Sequence, residues 1–181
     1  MKQIIFFIFI ALSFIFNFCS QPSSKIEQTL ISSLKTIDSL KSDLNTTIPI
    51  DTLNHLVQHF NNTMDNIRRY NVFLHGKKQF LISQFVNHNE FLESAIIKHR
   101  QLNASLQFSN TQIKNLLLDL QEHNISEDSI KMYTTSELVI LNNIRQSIEN
   151  FKNEYYESRK DINNLTPSIQ QIIDSLKHSS H

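Results

Sequence analysis

From Ile26 onward, apolar residues recur at intervals of three and four, as Ile26, Leu30, Leu34, Ile37, Leu40 and Leu44. That spacing places side chains on one face of a helix. Asn45-Thr46-Thr47 and then Pro49 end the run, and Asp51 is predicted to cap a second helix whose stripe opens at Leu53. A seven-residue phase then persists: Leu53, Phe60, Ile67, Leu74, Leu81, His88, Ala95 and Leu102 on one seam, Val57, Met64, Asn71, Lys78, Phe85, Leu92, His99 and Leu106 on the other. Its weakest stretch as a dry seam is Asn71 to Lys78, which brackets Gly76. Ser109-Asn110 is predicted to cap a short helix carrying Ile113, Leu116, Leu117 and Leu120. That helix should end at His123-Asn124, where Asn tolerates the left-handed conformation. Ser126 followed by Glu127-Asp128 marks the next start, a hydroxyl cap with acids at the positive helix end. The last run steps Leu141, Ile148, Tyr155, Ile162, Ile169, Leu176, with Ile144, Phe151, Leu165 and Ile172 between, and only Ser158 interrupts the second series. Thr166-Pro167 reads as the cap and first residue of a final helix, or as a kink.

The expected helices therefore lie near 25–46, 51–75, 79–107, 111–122, 127–165 and 167–177. The expected fold class is all-α, an antiparallel bundle of long amphipathic helices with coiled-coil-like packing, with an extended helical hairpin as the alternative. His75-Gly76-Lys77-Lys78-Gln79 is long enough for a reversal between helices. Against a reversal stands the heptad phase, which runs unbroken across Gly76. Residues 25–177 are read as a single helical domain and 178–181 as a disordered tail.

Composition narrows the function. The 181 residues include one Gly, one Cys, three Pro and no Trp, with 17 Lys+Arg against 17 Asp+Glu. Phosphate-cradling loops, dinucleotide fingerprints and nucleophile elbows need several Gly, and none can be written in this chain. Zero net charge with no basic run longer than Arg68-Arg69 or Lys77-Lys78 argues against nucleic acid as a partner. With its single Cys at position 19, the body of the chain has no disulfide framework, thiolate metal site or thiol nucleophile.

Met1-Lys2-Gln3 is a short positive segment, and Ile4 to Phe16 is apolar apart from Ser13, a length suited to an export signal and short for a membrane span. Cys19 follows, then the polar linker 20–24, Ser20-Gln21-Pro22-Ser23-Ser24. This arrangement over residues 1–24 resembles a bacterial lipoprotein signal, in which the Cys becomes the lipidated first residue. Phe16, Asn17 and Phe18 stand where that signal carries an aliphatic and two small residues. The resemblance implies an export signal over 1–19, lipidation at Cys19 and a membrane attached through that lipid. It also implies location in the bacterial cell envelope; Ser20, in place of an Asp behind the Cys, suggests the outer membrane facing the periplasm. A type I signal or an uncleaved anchor is the competing reading.

Other chemistry is sparse. His55 and His59 are four apart but lie off the apolar stripe with no third ligand, and no Glu is followed three places later by a His, as helical di-iron sites require. No metal or cofactor is expected. His88 and His99 fall in the seam, where gaining charge near pH 6 would strain packing, so they form a candidate pH-sensitive pair. Leu165-Thr166-Pro167-Ser168-Ile169-Gln170 resembles the Leu-Thr-x-x-Gln motif of Spy-like periplasmic chaperones, with Gln170 one place later. The expected function is a non-catalytic, membrane-anchored interaction module that binds an envelope protein. The alternative is a soluble helical chaperone or stress sensor.

Overall fold

A computed structural model describes residues 21–70 and 74–179. Four helices follow in order: α1 (Gln21–Thr47), α2 (Ile50–Arg68), α3 (Lys77–Glu122) and α4 (Glu127–Ser179). The fold is all-α, a bundle of long helices packed on one another. It divides into two compact units, the first holding the chain up to Asp38 with Gln107–Asn142, the second Ser39–Leu106 with Asn143–His181. The boundary residues between helices explain most of the element order. Pro22 sits in the first turn of α1, where its missing N–H costs nothing.

Between α1 and α2 the helical path is barely broken. Ile48 N–H donates to the Leu44 carbonyl at 3.0 Å and Leu53 N–H to the Pro49 carbonyl at 3.2 Å. Pro49 occupies the cap position of α2 and supplies no side-chain cap. Asp51, expected as the cap, lies instead inside the first turn, where its charge faces the positive end of the helix. α2 stops at Arg68, short of the expected residue 75. Gly76, with φ +64, stands immediately ahead of α3 in the left-handed region that Gly enters without a Cβ penalty. The chain reverses across this connection: the Phe60 and Phe85 rings stack at 4.4 Å between centroids. A continuous helix would hold those two residues about 37 Å apart. They belong to a core of the second unit with Met64, Ile67, Ile169, Ile172, Ile173 and Leu176.

Within that unit α3 and α4 run in opposite directions. Lys78 Nζ donates to Ser175 Oγ at 3.2 Å, His88 Nδ1 lies 3.3 Å from Ser158 Oγ, and Lys98 Nζ reaches Glu154 at 2.8 Å, so partner numbers fall as α3 climbs. α1 joins them through Lys152 Nζ to Asp43 at 2.9 Å and an Asn103–Asn45 amide contact at 3.2 Å. The lysine hydrogen bond holds the Asp43 carboxyl below its usual range, and the same bond raises Lys152.

Two expected breaks are continuous helix. Ser109 is fully buried inside α3, and the buried series Leu102, Leu106, Ser109, Ile113, Leu116, Leu120 alternates steps of four and three without a fault. The heptad face outweighs the capping preference of Ser109-Asn110, because ending the helix there would strand that face. Pro167 lies inside α4. The hydroxyl of Thr166 donates to the Ile162 carbonyl at 2.7 Å, and the apolar phase from Leu165 to Ile169 carries through the proline. Such back-bonds recur along the helices, as in Thr36 to Ser32, Thr46 to Ser42, Thr63 to His59 and Thr135 to Lys131.

The α3–α4 turn follows its chemistry more closely. Ser126 Oγ accepts the Ser129 N–H at 3.3 Å, the capping bond the sequence predicts. The left-handed residue is His123, φ 55, one place before the expected Asn124. Asn124 instead closes the helix end, its N–H donating to the Asp119 carbonyl at 3.1 Å while its side-chain amide donates to Asp119 and Glu122.

Candidate functional site

Cys19, the expected lipidation site, lies outside the described residues. Of the two seam histidines, His99 is the buried one, 3% exposed. It sits on α3 in the second unit, one turn before Asn103, whose amide lies 3.4 Å from Nδ1. Its Nε2 meets no hydrogen-bond partner among the described residues. Burial, and secondarily the Arg100 cation beside it, push its pKa below the usual 6.5. His88 is half-buried and Asn89 takes the fully buried position next to it. The His88 ring rests near Ser158, so the polar interruptions of two apolar stripes meet across the helices.

The lowered pKa of His99 fixes the sign of a pH effect. The folded state keeps the ring neutral where the unfolded chain would protonate it, so stability is whole above about pH 6.5 and declines as pH falls below it. The decline is at most about 1.4 kcal/mol per pH unit. We expect the wild-type melting temperature to be lower at pH 5.5 than at pH 7.5 and His99→Gln to reduce that difference. Thermal melts followed by circular dichroism check this, and a pH difference unaltered in His99→Gln would remove His99 as its source.

A second polar group was not legible in the sequence. In the first unit, Ser109 and Thr134 are buried, and their hydroxyls find no hydrogen-bond partner among the described residues. The Glu137 side chain turns inward an Oε2 that likewise meets no partner among the described residues. Desolvation raises the Glu137 pKa; the nearby Ser109 hydroxyl partly opposes it without reaching hydrogen-bond geometry. Extending the phase Leu102, Leu106 by three would have marked Ser109 as a seam residue, and extending Ile144 back by seven would have marked Glu137.

His55 and His59 are both exposed on α2. Among the described residues no three His, Cys, Asp or Glu side chains gather as a metal set. An open cleft of about 640 Å³ in the second unit is lined by Tyr155, Tyr156, Arg159, Lys160, Asn163 and Asn164 of α4 with Thr47, Pro49 and Thr52. Arg159 donates to the Tyr155 hydroxyl at 3.3 Å and lies 5.9 Å from its ring centre, so its cation is held against the aromatic face. In the first unit a groove of about 400 Å³ separates the first turns of α1 and α4, with Lys25, Ile26 and Thr29 on one side and Glu127, Asp128, Lys131, Thr135 and Leu138 on the other.

These features define an all-helical bundle with buried polar points in its seams and shallow grooves on its surface. No protein-family model, curated protein or solved structure matches the chain. No helix among the described residues is long and apolar enough to cross a membrane.

Proposed function

We propose that this protein is a lipid-anchored component of a bacterial cell envelope whose helical bundle works as a non-catalytic interaction module. The observation that carries the reading is the placement of the chain's one Cys, at position 19, directly after the apolar stretch Ile4–Phe16. A diacylated Cys buries many CH₂ groups in a bilayer, which suffices to hold a protein at the surface without a spanning helix. Long helices packed side by side then present lateral faces to a neighbouring envelope protein. Ser20 behind the Cys favours the outer membrane, facing the periplasm.

Fractionation of cells expressing the full chain tests the anchor. Wild type is expected in the membrane fraction, released by detergent and not by high salt, while Cys19→Ala moves to the soluble fraction. Equal distribution of the two chains overturns lipidation at Cys19. Cross-linking in the intact envelope then identifies the bound protein.

A further inference from the structure

We propose that the outer face of α4 between Met132 and Ile140 is a membrane-surface site that lies against the bilayer holding the N-terminus. The assignment deepens the anchored-envelope reading and rests on it for which membrane is met. Met132, Tyr133, Val139 and Ile140 are exposed by 57%, 47%, 57% and 40%. They fall on one side of the helix, with Ser136 between them, while Ile130, Thr134 and Leu141 face the core of the first unit. The sequence from Met132 to Ile144 holds a single ionisable acid, Glu137. Its buried Oε2 shows that carboxyl turned inward, so the outer face carries no charge. Tyr133, with an apolar ring and a polar tip, suits a membrane surface.

Where the chain enters the unit selects a lipid surface as the occupant. Lys25, Ile26 and Thr29 of α1 meet Glu127, Asp128 and Lys131 of α4 across the shared groove, so the start of α1 lies level with the start of α4, on a different flank of that helix from the exposed face. Cys19 precedes Gln21 by two residues, a reach of about 7 Å. A lipid attached there brings the bilayer to this end of the unit whatever else the protein binds. The face spans about 12 Å along the helix. Four side chains on two turns fall well short of the roughly 800 Å² per partner of a stable protein interface, but they match an interfacial helix that sinks its apolar side into the headgroup boundary.

The absence of Trp from the chain makes the test direct. Val139→Trp in the full chain gives a single reporter, read with vesicles of phosphatidylcholine and phosphatidylglycerol with and without brominated acyl chains. The expected result is emission shifted to shorter wavelength and strongly quenched by bromine, while an Asn153→Trp chain shows neither change. Adding Met132→Ser and Ile140→Ser to the Val139→Trp chain should weaken the lipid titration about tenfold; circular dichroism confirms that helix content is kept. An unquenched Val139→Trp on vesicle-bound protein overturns the proposal. So does a blue shift that grows with protein concentration before lipid is added, because a second copy then covers the face. Failure of the anchor reading shows separately, as Cys19→Ala fractionating like wild type while Val139→Trp is still quenched.

Discussion

Phe85→Ala is expected to destabilise the second unit by about 3–5 kcal/mol, the range for removing a buried aromatic ring and leaving a cavity. Phe85 is almost fully buried where α2, α3 and α4 meet, stacked on Phe60 and packed in one cluster with Met64, Ile169 and Ile173. The cavity left behind cannot be filled by collapse from one side, because three helices would have to shift together. Loss of the Phe60 stack adds to the loss of buried area. For a chain of this size the melting temperature should fall by about 6–20 °C. Phe80→Ala supplies the contrast. Phe80 lies five residues earlier on the same helix but is 60% exposed, so its truncation should change stability by no more than about 0.5 kcal/mol. Thermal unfolding of both variants measures the difference; similar losses from the two would mean that Phe85 is not packed as described.

Pro167→Ala is expected to act in the opposite direction, stabilising the protein by about 2 kcal/mol. A proline inside a helix forfeits one backbone hydrogen bond and presses its ring on the preceding turn, at a cost of about 3 kcal/mol. Part of any gain is returned, because alanine gives the unfolded chain more freedom, by about 0.4–1 kcal/mol. The substitution should therefore raise the melting temperature by several degrees, as seen in the same thermal assay. A lower melting temperature would show that the seating of Ile169, Ile172 and Leu176 depends on a bend at Thr166-Pro167.

Both residues illustrate what the chain discloses about its own structure. The all-helical class follows from the three-and-four spacing, and the start of α4 from Ser126 with its two acids. The breaks are harder to read because Ser and Thr have two uses in helices. Their oxygen can cap a start, as at Ser126, or donate back to a carbonyl one turn earlier, as at Thr166. Residue type alone does not separate these roles. The phase of the surrounding apolar residues does, and it favours continuation at both Ser109 and Pro167. At Gly76 the phase misleads in the other direction: Leu74 and Leu81 are only half-buried, and the fully buried line on α3 starts at Phe85 and passes through Asn89 beside His88. The seam position of Glu137 follows from the phase of Ile144, but the missing partners of its Oε2 and of His99 Nε2 among the described residues depend on neighbours from other turns and helices, which no one-dimensional pattern specifies.

The hydroxyls folded back on their own helices also change how polar the protein is toward its surroundings. When a threonine donates to the carbonyl one turn behind it, its proton is spent within the helix and its methyl group remains at the surface. Thr36, Thr46, Thr63 and Thr135 are all bound in this way. A sequence whose Ser, Thr and Asn content suggests a heavily hydrated exterior thereby offers solvent fewer donors than its letters imply. Contacts made on such a helix flank would displace water at less cost, and adhesion there would owe more to fit than to exchange of hydrogen bonds.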